Sequence, residues 1–261
     1  MKILYIGDVM GEPGIQVVER VLPQFTNDVD LIVAQAENVS GGKGMNPADM
    51  ERLQAAGVQF FSGGNHTPAE PALRSFLEDP NQPVIGPANM PDCPGEGYKY
   101  IDTAKGKVIV VSLLGATVGR GVESTSPLAK IDKILDEARN DGRVATLINF
   151  HGDYSSEKRV IGYYLDGRAS LVVGDHWHVP TADAMVLPKG TAHITDVGMC
   201  GTLHSSLGVK TDIIIARWRD GKVNTNVLET HGPLQFNAVS VDIDDSTGLA
   251  NAIEHIQQIF D

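Results

Sequence analysis

Short apolar runs recur along the first two thirds of the chain, each bounded by glycine, proline or polar residues. They lie at residues 2–7, 30–36, 58–62, 108–114, 144–150 and 169–173. Such runs, apolar without alternation, are typical of strands that are buried on both faces. Segments with apolar residues at helical spacing follow several of them, beginning near Ile15, Pro47, Pro127 and Ser155. The pattern predicts strands that alternate with helices, as in an α/β fold.

The last part of the chain has a different pattern. Residues 191–197, 211–217, 223–229 and 236–243 are predicted to be mostly antiparallel strands joined by turns such as Asp220-Gly221. Residues 249–260 are predicted to form a final amphipathic helix. Alternating strands and helices with a β-rich end predict two sheets that pack face to face between helices. At this length we expect one domain, spanning residues 1–261.

Polar residues of the kinds that bind metals stand where the predicted strands end. Open α/β sheets place their sites beyond the carboxyl ends of their strands, so we expect these side chains to meet at one edge. Each has an ordinary alternative, as when Asp8 caps a turn or a helix. The repetition from strand to strand favours a shared site. In chain order the residues are Asp8, Glu37, Asn38, Asn65, His66, His151, His176 and His178.

The pair His176 and His178 predicts an extended backbone just beyond its strand. In an extended segment, side chains two residues apart point to the same side, and Trp177 between them points to the opposite side, into packing. A lone His-x-His is weak evidence for a metal. The alternative is two loop histidines that make ordinary hydrogen bonds.

The donor set consists of carboxylate, imidazole and amide groups without a thiolate, which suits Mn²⁺, Fe²⁺ or Zn²⁺. It has too many ligands for one tetrahedral ion, whereas two ions sharing a bridging carboxylate would use nearly all of them. Two ions about 3.5–4 Å apart can clamp a phosphoryl group, generate hydroxide at neutral pH and stabilise an in-line transition state.

Composition limits the partners. A formal charge of −12 argues against binding duplex nucleic acid, which needs a basic face, but it leaves room for a small phosphorylated substrate bound through metals. No apolar run reaches the roughly 18 residues of a membrane span, and no basic leader precedes the first strand. Cys93 and Cys200 fit neither a disulfide framework nor a zinc motif. We expect a cytoplasmic homo-oligomer without a membrane partner.

Several sequence blocks carry a resemblance to known families. Gly7-Asp8, Gly64-Asn65-His66, His151 and the His176-x-His178 pair resemble the ordered blocks of the calcineurin-like metallophosphoesterases. More closely, GDVMGEPG, AENVSGGKGMN, SGGNHTP, the HGDYSSEK region and VGDHWHVPTAD…LPKGTAHITDVGM resemble the bacterial YmdB-like phosphodiesterase family. The resemblance implies a four-layer αββα fold and a dinuclear site that hydrolyses small phosphodiesters, including 2′,3′- and 3′,5′-cyclic nucleotides.

The resemblance also implies roles for single residues. One metal would be bound by Asp8, Glu37, Asn38 and His178, and the other by Glu37, Asn65, His151 and His176, with Glu37 as the bridge. His66 would lie outside these ligands and protonate the leaving oxygen or stabilise the phosphate charge, a role suited to an unperturbed pKa of about 6.5. The alternative for His66 is a structural partner of a ligand carboxylate. Fe or Mn is the first expectation for the ions, and Zn the second.

Three positions depart from the pattern of the relatives. The wider superfamily usually has Asp-x-His in its first block, but Met10 occupies the histidine position, and the amide oxygen of Asn38 would replace that ligand. The bridging position holds Glu37 instead of the commoner aspartate. Asp175 stands where the nearer relatives typically have a small hydroxyl residue. It is expected either to support a ligand histidine or to cap a turn.

A glycine-rich segment, residues 40–45, follows Asn38 closely. Gly42 and Lys43 in it are predicted to bind the substrate phosphate through backbone N–H groups and the ammonium, the alternative being a mobile connector. Arg120 is a further candidate for phosphate binding. The other histidines, His193, His204, His231 and His255, are expected to be structural or at the surface.

The leading hypothesis from the sequence is a phosphodiesterase with two metals. A phosphomonoesterase would use the same metals, and a regulator would bind metal or nucleotide there without turnover. A mononuclear amidohydrolase is disfavoured, because its His-x-His normally lies on the first strand, which here offers only Asp8.

Overall fold

The computed structural model describes residues 1–119 and 121–261. Within these ranges the strands are β1 (Lys2–Ile6), β2 (Asp8–Val9), β3 (Leu31–Gln35), β4 (Phe60–Ser62), β5 (Tyr98–Thr103), β6 (Gly106–Leu114), β7 (Ala145–His151), β8 (Leu171–Asp175), β9 (Met185–Val186), β10 (Ala192–Ile194), β11 (Met199–Thr202), β12 (Leu234–Ile243) and β13 (Ala250–Phe260). The α-helices are α1 (Gly11–Val21), α2 (Pro47–Ala56), α3 (Arg74–Glu78), α4 (Pro127–Glu137), α5 (Ser155–Tyr164) and α6 (Thr211–Asp220).

The described strands form two mixed sheets. One is seven-stranded, with the order β2-β11-β12-β1-β3-β4 and β13 paired to β12. The other is six-stranded, with the order β5-β6-β7-β8-β10-β9. Strands β1, β3 and β4 are parallel neighbours in the first sheet, and β6, β7, β8 and β10 are parallel neighbours in the second. The carboxyl ends of each parallel set therefore share one edge.

Alternate residues of the strands enter different cores. Ile3 and Tyr5 of β1 face the second sheet and join a core between the two sheets. Leu4 and Ile6 face the other way and pack against apolar residues of α1 and α2. A third core lies between the outer face of the second sheet and helices α4 and α5. The layers run helix, sheet, sheet, helix, which confirms the αββα arrangement.

Helix α2 has the ends that its sequence predicts. The side chain of Asn46 accepts a hydrogen bond from Asp49 N at 2.8 Å, and Pro47 occupies the first turn, where no N–H partner is needed. Gly57 ends the helix in the left-handed conformation, with φ +118°.

The prediction of a final helix is wrong, because residues 250–260 form β13 and pair with β12 along its whole length. The apolar residues in this segment have the spacing of an amphipathic helix, yet they lie on the two faces of a strand. Ile253 packs against the core between the sheets, whereas Ile256 and Phe260 pack against the core under α1. Long-range pairing and burial on both faces override the local pattern.

Two strand predictions, for residues 211–217 and 223–229, are also wrong. Residues 211–217 lie in helix α6, despite their three consecutive isoleucines. Asp212 in its first turn and Arg217 and Arg219 in its last turn suit the helix dipole, and Gly221 ends it with φ +66°. In the described chain, residues 223–229 form no strand of two or more paired residues. They contribute only an isolated β-bridge, between Val209 and Leu228.

In the described ranges, each helix is too short or too polar to cross a bilayer.

Candidate metal centre

The strand-end residues do converge. Each lies in a strand of the two parallel sets, shortly after such a strand, or in the short strand β2, and contacts join them across the two sheets, that of His66 being made by its backbone N–H. Asp8 is in β2, Glu37 and Asn38 follow β3, Asn65 and His66 follow β4, His151 ends β7, and His176 and His178 follow β8.

One cluster consists of Asp8, Asn38 and His178, all buried. His178 donates from Nδ1 to the carbonyl of Leu207 at 3.2 Å, which leaves a lone pair on Nε2. This Nε2 lies 3.2 Å from Asn38 Oδ1 and 3.8 Å from Asp8 Oδ1. The Asn38 amide nitrogen is engaged with Gly42 O at 2.9 Å, so its oxygen is the atom that faces His178.

These three facing atoms are all acceptors. Among the described residues Asp8 Oδ1 is buried without a hydrogen-bond partner. Burial is the main cause that lowers the pKa of His178 to about 4, against the opposing charge of Glu37, so the ring is neutral at pH 7. Burial and the Asp175 carboxylate raise the pKa of Asp8 well above its ordinary value. A cation fits a buried group of acceptors of this kind, because an unpartnered buried polar atom is costly.

A second cluster is centred on His151, which is fully buried. Its Nε2 lies 3.0 Å from Asn65 Oδ1 and 3.2 Å from Glu37 Oε1. Ligand atoms of Glu37, His151 and His176 lie within 4.8 Å of one another, as a shared ion requires. His176 donates from Nε2 to Asp153 Oδ1 at 2.9 Å, which leaves the lone pair on its Nδ1.

The charges of this second cluster are strongly coupled. Burial raises the pKa of Glu37, but the facing His151 and the nearby His66 together outweigh burial and lower it to about 2. Burial opposes the charged form of His151, yet the Glu37 and Asp175 carboxylates raise its pKa well above the ordinary value. Burial and the nearby His151 lower the pKa of His176 to about 4. The cluster therefore offers an ionised carboxylate and favours positive charge beside it.

Asp175 bonds a candidate ligand histidine, an arrangement that agrees with one of the two expectations for it. Its Oδ1 accepts from His151 Nδ1 at 2.6 Å. Its Oδ2 accepts from Tyr5 at 2.9 Å, from Gln35 at 3.1 Å and from Asn149. A carboxylate that orients a metal-binding imidazole through the opposite nitrogen is a recurring arrangement.

The backbone of the His-x-His pair is not extended, so the geometric reason given for it from the sequence is wrong. His176 has φ +101° and His178 has φ +61°, values that are uncommon outside glycine. A left-handed turn, and not strand alternation, carries both rings to the site. The Trp177 ring stacks under the Lys158 ammonium, which lies 4.0 Å from the ring centroid, and its Nε1 donates to Asp153 O at 3.0 Å.

Gly64 allows the close approach between β4 and the second cluster. A Cβ atom at Gly64 would lie 2.3 Å from Glu37 Oε2 and 2.7 Å from two atoms of the His151 ring. The next residues also reach Glu37, since the backbone N–H of His66 donates to its Oε2 at 2.8 Å. The His66 ring makes no part of that bond, and burial lowers the pKa of the ring. His66 thus lies beside the site with its imidazole available for another role.

The glycine-rich segment lies against the first cluster. Gly42 accepts from Asn38, and Lys43 is exposed and contributes to the lowered pKa of His66 through its charge. Among the other candidates, Arg120 lies outside the described residues. His193 is buried and bonds Val172 O at 2.9 Å, away from the site. His204 and His231 are exposed and His255 bonds Val197 O, so these histidines agree with a structural or surface position.

Sequence reasoning missed Asp153 and the donors around Asp175. The missed signal for the donors was polarity inside buried strands, since Gln35 in β3 and Asn149 in β7 interrupt otherwise apolar runs. Asp153 had no such signal, because a loop aspartate after a strand is ordinary.

Comparisons with known proteins agree with this geometry. The family model described as YmdB-like protein matches residues 4–256. A Bacillus subtilis (strain 168) protein named 2′,3′-cyclic-nucleotide 2′-phosphodiesterase is 38% identical over 261 residues, covering 98% of this chain and 96% of the relative. The crystal structure of a Mycoplasma pneumoniae phosphatase matches with a TM-score of 0.92 at 27% identity, covering 100% of this chain and 94% of that one. A hypothetical protein from Thermus thermophilus matches with a TM-score of 0.91 at 34% identity, covering 100% of both chains.

Fold and site together define a metallophosphoesterase, a hydrolase with two mixed sheets and a candidate metal-ligand cluster at the carboxyl ends of their parallel strands. Within that class, the chain belongs to the YmdB-like family.

Proposed function

We propose that this protein hydrolyses small phosphodiesters, cyclic nucleotides among them, with two metal ions bound by the two clusters. The observation that carries the proposal is the buried group of acceptors formed by Asp8 Oδ1, Asn38 Oδ1 and His178 Nε2, next to the carboxylate of Glu37. Glu37 is proposed to bridge, since its Oε1 faces His151 and its charge acts on His178.

The residues of the chain have separate tasks in this proposal. A bound pair of metal ions supplies an activated water and neutralises phosphoryl charge. Asn65 and His151 hold one side of the centre, and Asp175 fixes the ring of His151. His66 is proposed to protonate the leaving oxygen from its imidazolium form, because the ring lies beside the centre and makes no part of the bond to Glu37. Gly42 and Lys43 bind the non-bridging phosphate oxygens, and Arg120 is proposed for the same task.

The substrate class rests on the relatives. The Bacillus subtilis relative is named for the 2′,3′-cyclic-nucleotide reaction, and the matching regions include every residue of the two clusters. We therefore propose 2′,3′-cyclic nucleotides first and 3′,5′-cyclic nucleotides second. Iron or manganese is the proposed ion and zinc the alternative, in line with carboxylate, amide and imidazole ligands. We also propose a cytoplasmic location, since Cys93 and Cys200 are free thiols.

Hydrolysis of bis-para-nitrophenyl phosphate in Mn²⁺ tests the proposal. Asp8→Asn, Asn65→Ala and His151→Ala are each expected to abolish it while the circular dichroism spectrum stays native. Full activity in all three variants would overturn the mechanism. A screen of the cyclic nucleotides with the wild type then identifies the substrate.

Two outcomes would favour the alternatives. Faster hydrolysis of the mono-ester para-nitrophenyl phosphate than of the diester would assign a phosphomonoesterase to the same centre. Nucleotide binding without product release in Mn²⁺ would assign a regulator.

We also infer that the protein is a homo-oligomer and that α6 is its contact surface. Trp218 of α6 is 86% exposed and Ile215 is 51% exposed. Within the described chain α6 buries none of its own residues, although a helix of ten residues is marginal in water without packing. The helix carries opposite charges at its two ends, since Asp212 lies in its first turn and Arg219, which also pairs with Asp220 of its own chain, lies in its last turn. Two antiparallel copies about a two-fold axis would pair Asp212 with the partner's Arg219.

Sedimentation velocity tests this surface. Trp218→Ser is expected to shift the wild-type oligomer to monomer. Asp212→Lys and Arg219→Asp should each weaken association, and mixing the two variants should restore it in part. A monomeric wild type, or an oligomer that none of these changes affects, would overturn the inference.

A further inference from the structure

We propose that Lys158 and Asp196 form a buried positioning pair that holds the turn carrying His176 and His178 and the strand carrying Asp8. This inference rests on the proposed function, because it assigns the pair to the geometry of the metal centre. Neither residue lies among the candidate ligands.

Lys158 reaches the turn from helix α5. Its side chain is fully buried, and its Nζ donates to Asp175 O at 2.6 Å and to Asp196 Oδ2 at 2.7 Å. The ammonium also lies 4.0 Å from the ring centroid of Trp177. An ammonium has three donors, and these contacts use two of them and cover the side toward the ring.

Asp196 accepts hydrogen bonds from two further backbone groups. Its Oδ2 accepts from Trp177 N at 2.9 Å and its Oδ1 accepts from Gly198 N at 2.9 Å. The carboxylate therefore accepts from one ammonium and two backbone amides, and one of these amides belongs to the turn between His176 and His178.

The two bonded backbone groups of the turn flank His176. Asp175 O precedes this residue and Trp177 N follows it, and His176 itself has φ +101°. A histidine keeps such an unusual backbone conformation only when its surroundings hold it. Lys158 and Asp196 hold the peptide groups on both sides, so they set the direction in which the His176 ring leaves the chain.

The same pair reaches the other cluster through Gly198. The carbonyl of Gly198 accepts from the backbone N–H of Asp8 at 3.1 Å. A Cβ atom on the neighbouring Gly7 would lie 1.9 Å from that carbonyl oxygen, so the two backbones are in direct contact. Moving Asp196 would therefore shift Asp8 together with the histidine turn.

A buried ion pair is a poor source of stability, since apolar residues of similar volume often stabilise a fold as well. A pair placed for stability alone would need no link to the candidate ligands. Here the pair bonds the peptide groups beside His176 and, through Gly198, the strand of Asp8. These contacts are the ones that a positioning role requires.

Calorimetric titration of the metal-free protein with Mn²⁺ tests the pair. Lys158→Met and Asp196→Asn are each expected to weaken Mn²⁺ binding about 10–100-fold, the usual effect of losing a support of metal ligands. Arg143→Met is the control, because Arg143 pairs with Asp141 in a partly buried ion pair that is not linked to the candidate ligands. It should lower the melting temperature and leave Mn²⁺ affinity unchanged.

Wild-type Mn²⁺ affinity in a folded Lys158→Met protein would overturn the inference. If that variant does not fold, Asp196→Asn is the deciding variant, because it keeps the size of the side chain. Unchanged Mn²⁺ affinity in Asp196→Asn then overturns the inference. A wild type that binds Mn²⁺ but hydrolyses no phosphodiester would overturn the proposed function. The Mn²⁺ affinities of wild type and variants would still test the positioning pair.

Discussion

His151 donates its Nδ1 hydrogen to Asp175 Oδ1 across 2.6 Å, and this bond sets the direction of the opposite nitrogen. With Nδ1 held, Nε2 faces Glu37 Oε1 and Asn65 Oδ1. The bond lies between the last residues of two neighbouring parallel strands, which are register partners in the second sheet. The sheet itself therefore aligns the carboxylate with the imidazole.

Asp175→Asn is expected to weaken Mn²⁺ binding about 10–100-fold, because the asparagine has one acceptor oxygen where four donors converge. Calorimetric titration measures the change. Asp166→Asn is the control, since this buried carboxylate accepts backbone N–H groups of Lys189 and Thr191 outside the centre. It should cost stability without changing affinity. Equal Mn²⁺ affinity in Asp175→Asn and wild type would contradict the supporting role.

Gly64→Ala is expected to reduce phosphodiester hydrolysis about 100-fold, the effect of displacing reacting groups by roughly 1 Å. The new methyl would lie 2.3 Å from Glu37 Oε2, so the carboxylate must move. Gly41→Ala is the control, because its φ of +62° strains an alanine but the methyl meets no described atom within 4 Å. The rate of bis-para-nitrophenyl phosphate hydrolysis is measured for both variants. A fully active Gly64→Ala enzyme would mean that catalysis tolerates displacement of Glu37.

The location of the site followed from the sequence because it depends on a local rule. Parallel strands deliver the residues after their carboxyl ends to one edge, and each buried run in the first part of the chain is visible as an apolar stretch. Asp8, Glu37 and His151 became candidates this way, without knowledge of which strands are neighbours.

The parts that the sequence did not reveal depend on contacts between distant residues. The segment 250–260 has helical spacing, and only its pairing with β12 makes it a strand. The turn at His176 and His178 is left-handed, which neither histidine favours alone. Lys158 and Asp196 hold that turn from a helix and a loop that no local pattern connects.

Lys43→Met is expected to raise KM about fivefold with little change in kcat, since an exposed charge pair is worth ~1 kcal/mol in water. Lys43 is exposed beside Asn38 and His66, and its ammonium is proposed to meet the substrate phosphate. The effect should shrink at high salt through screening. Lys133→Met on α4, whose side chain is 70% exposed, is the matched control. A KM that does not change at low salt would remove Lys43 from the substrate site.

The two cysteines are expected to react slowly with iodoacetamide at pH 8 in the native protein. Burial raises the pKa of both the Cys93 and the Cys200 thiols to about 12, so little thiolate is present at that pH. Unfolding in urea should restore ordinary reactivity at both positions. Mass spectrometry counts the labels, and rapid labelling of the native protein would contradict the burial of these thiols.

His66→Gln is expected to slow hydrolysis by an amount that depends on the leaving group. A nucleoside alkoxide is a poor leaving group and needs a proton, so loss of the general acid should lower kcat on a 2′,3′-cyclic nucleotide about 10²–10⁴-fold. A para-nitrophenolate leaves without a proton, and its release should slow much less. The backbone N–H of His66 still donates to Glu37 in the variant, so the ligand geometry is retained. An equal decrease in the rates on both substrates would assign His66 to stabilising the phosphate charge. No decrease on either substrate would mean that the His66 side chain has no role in catalysis.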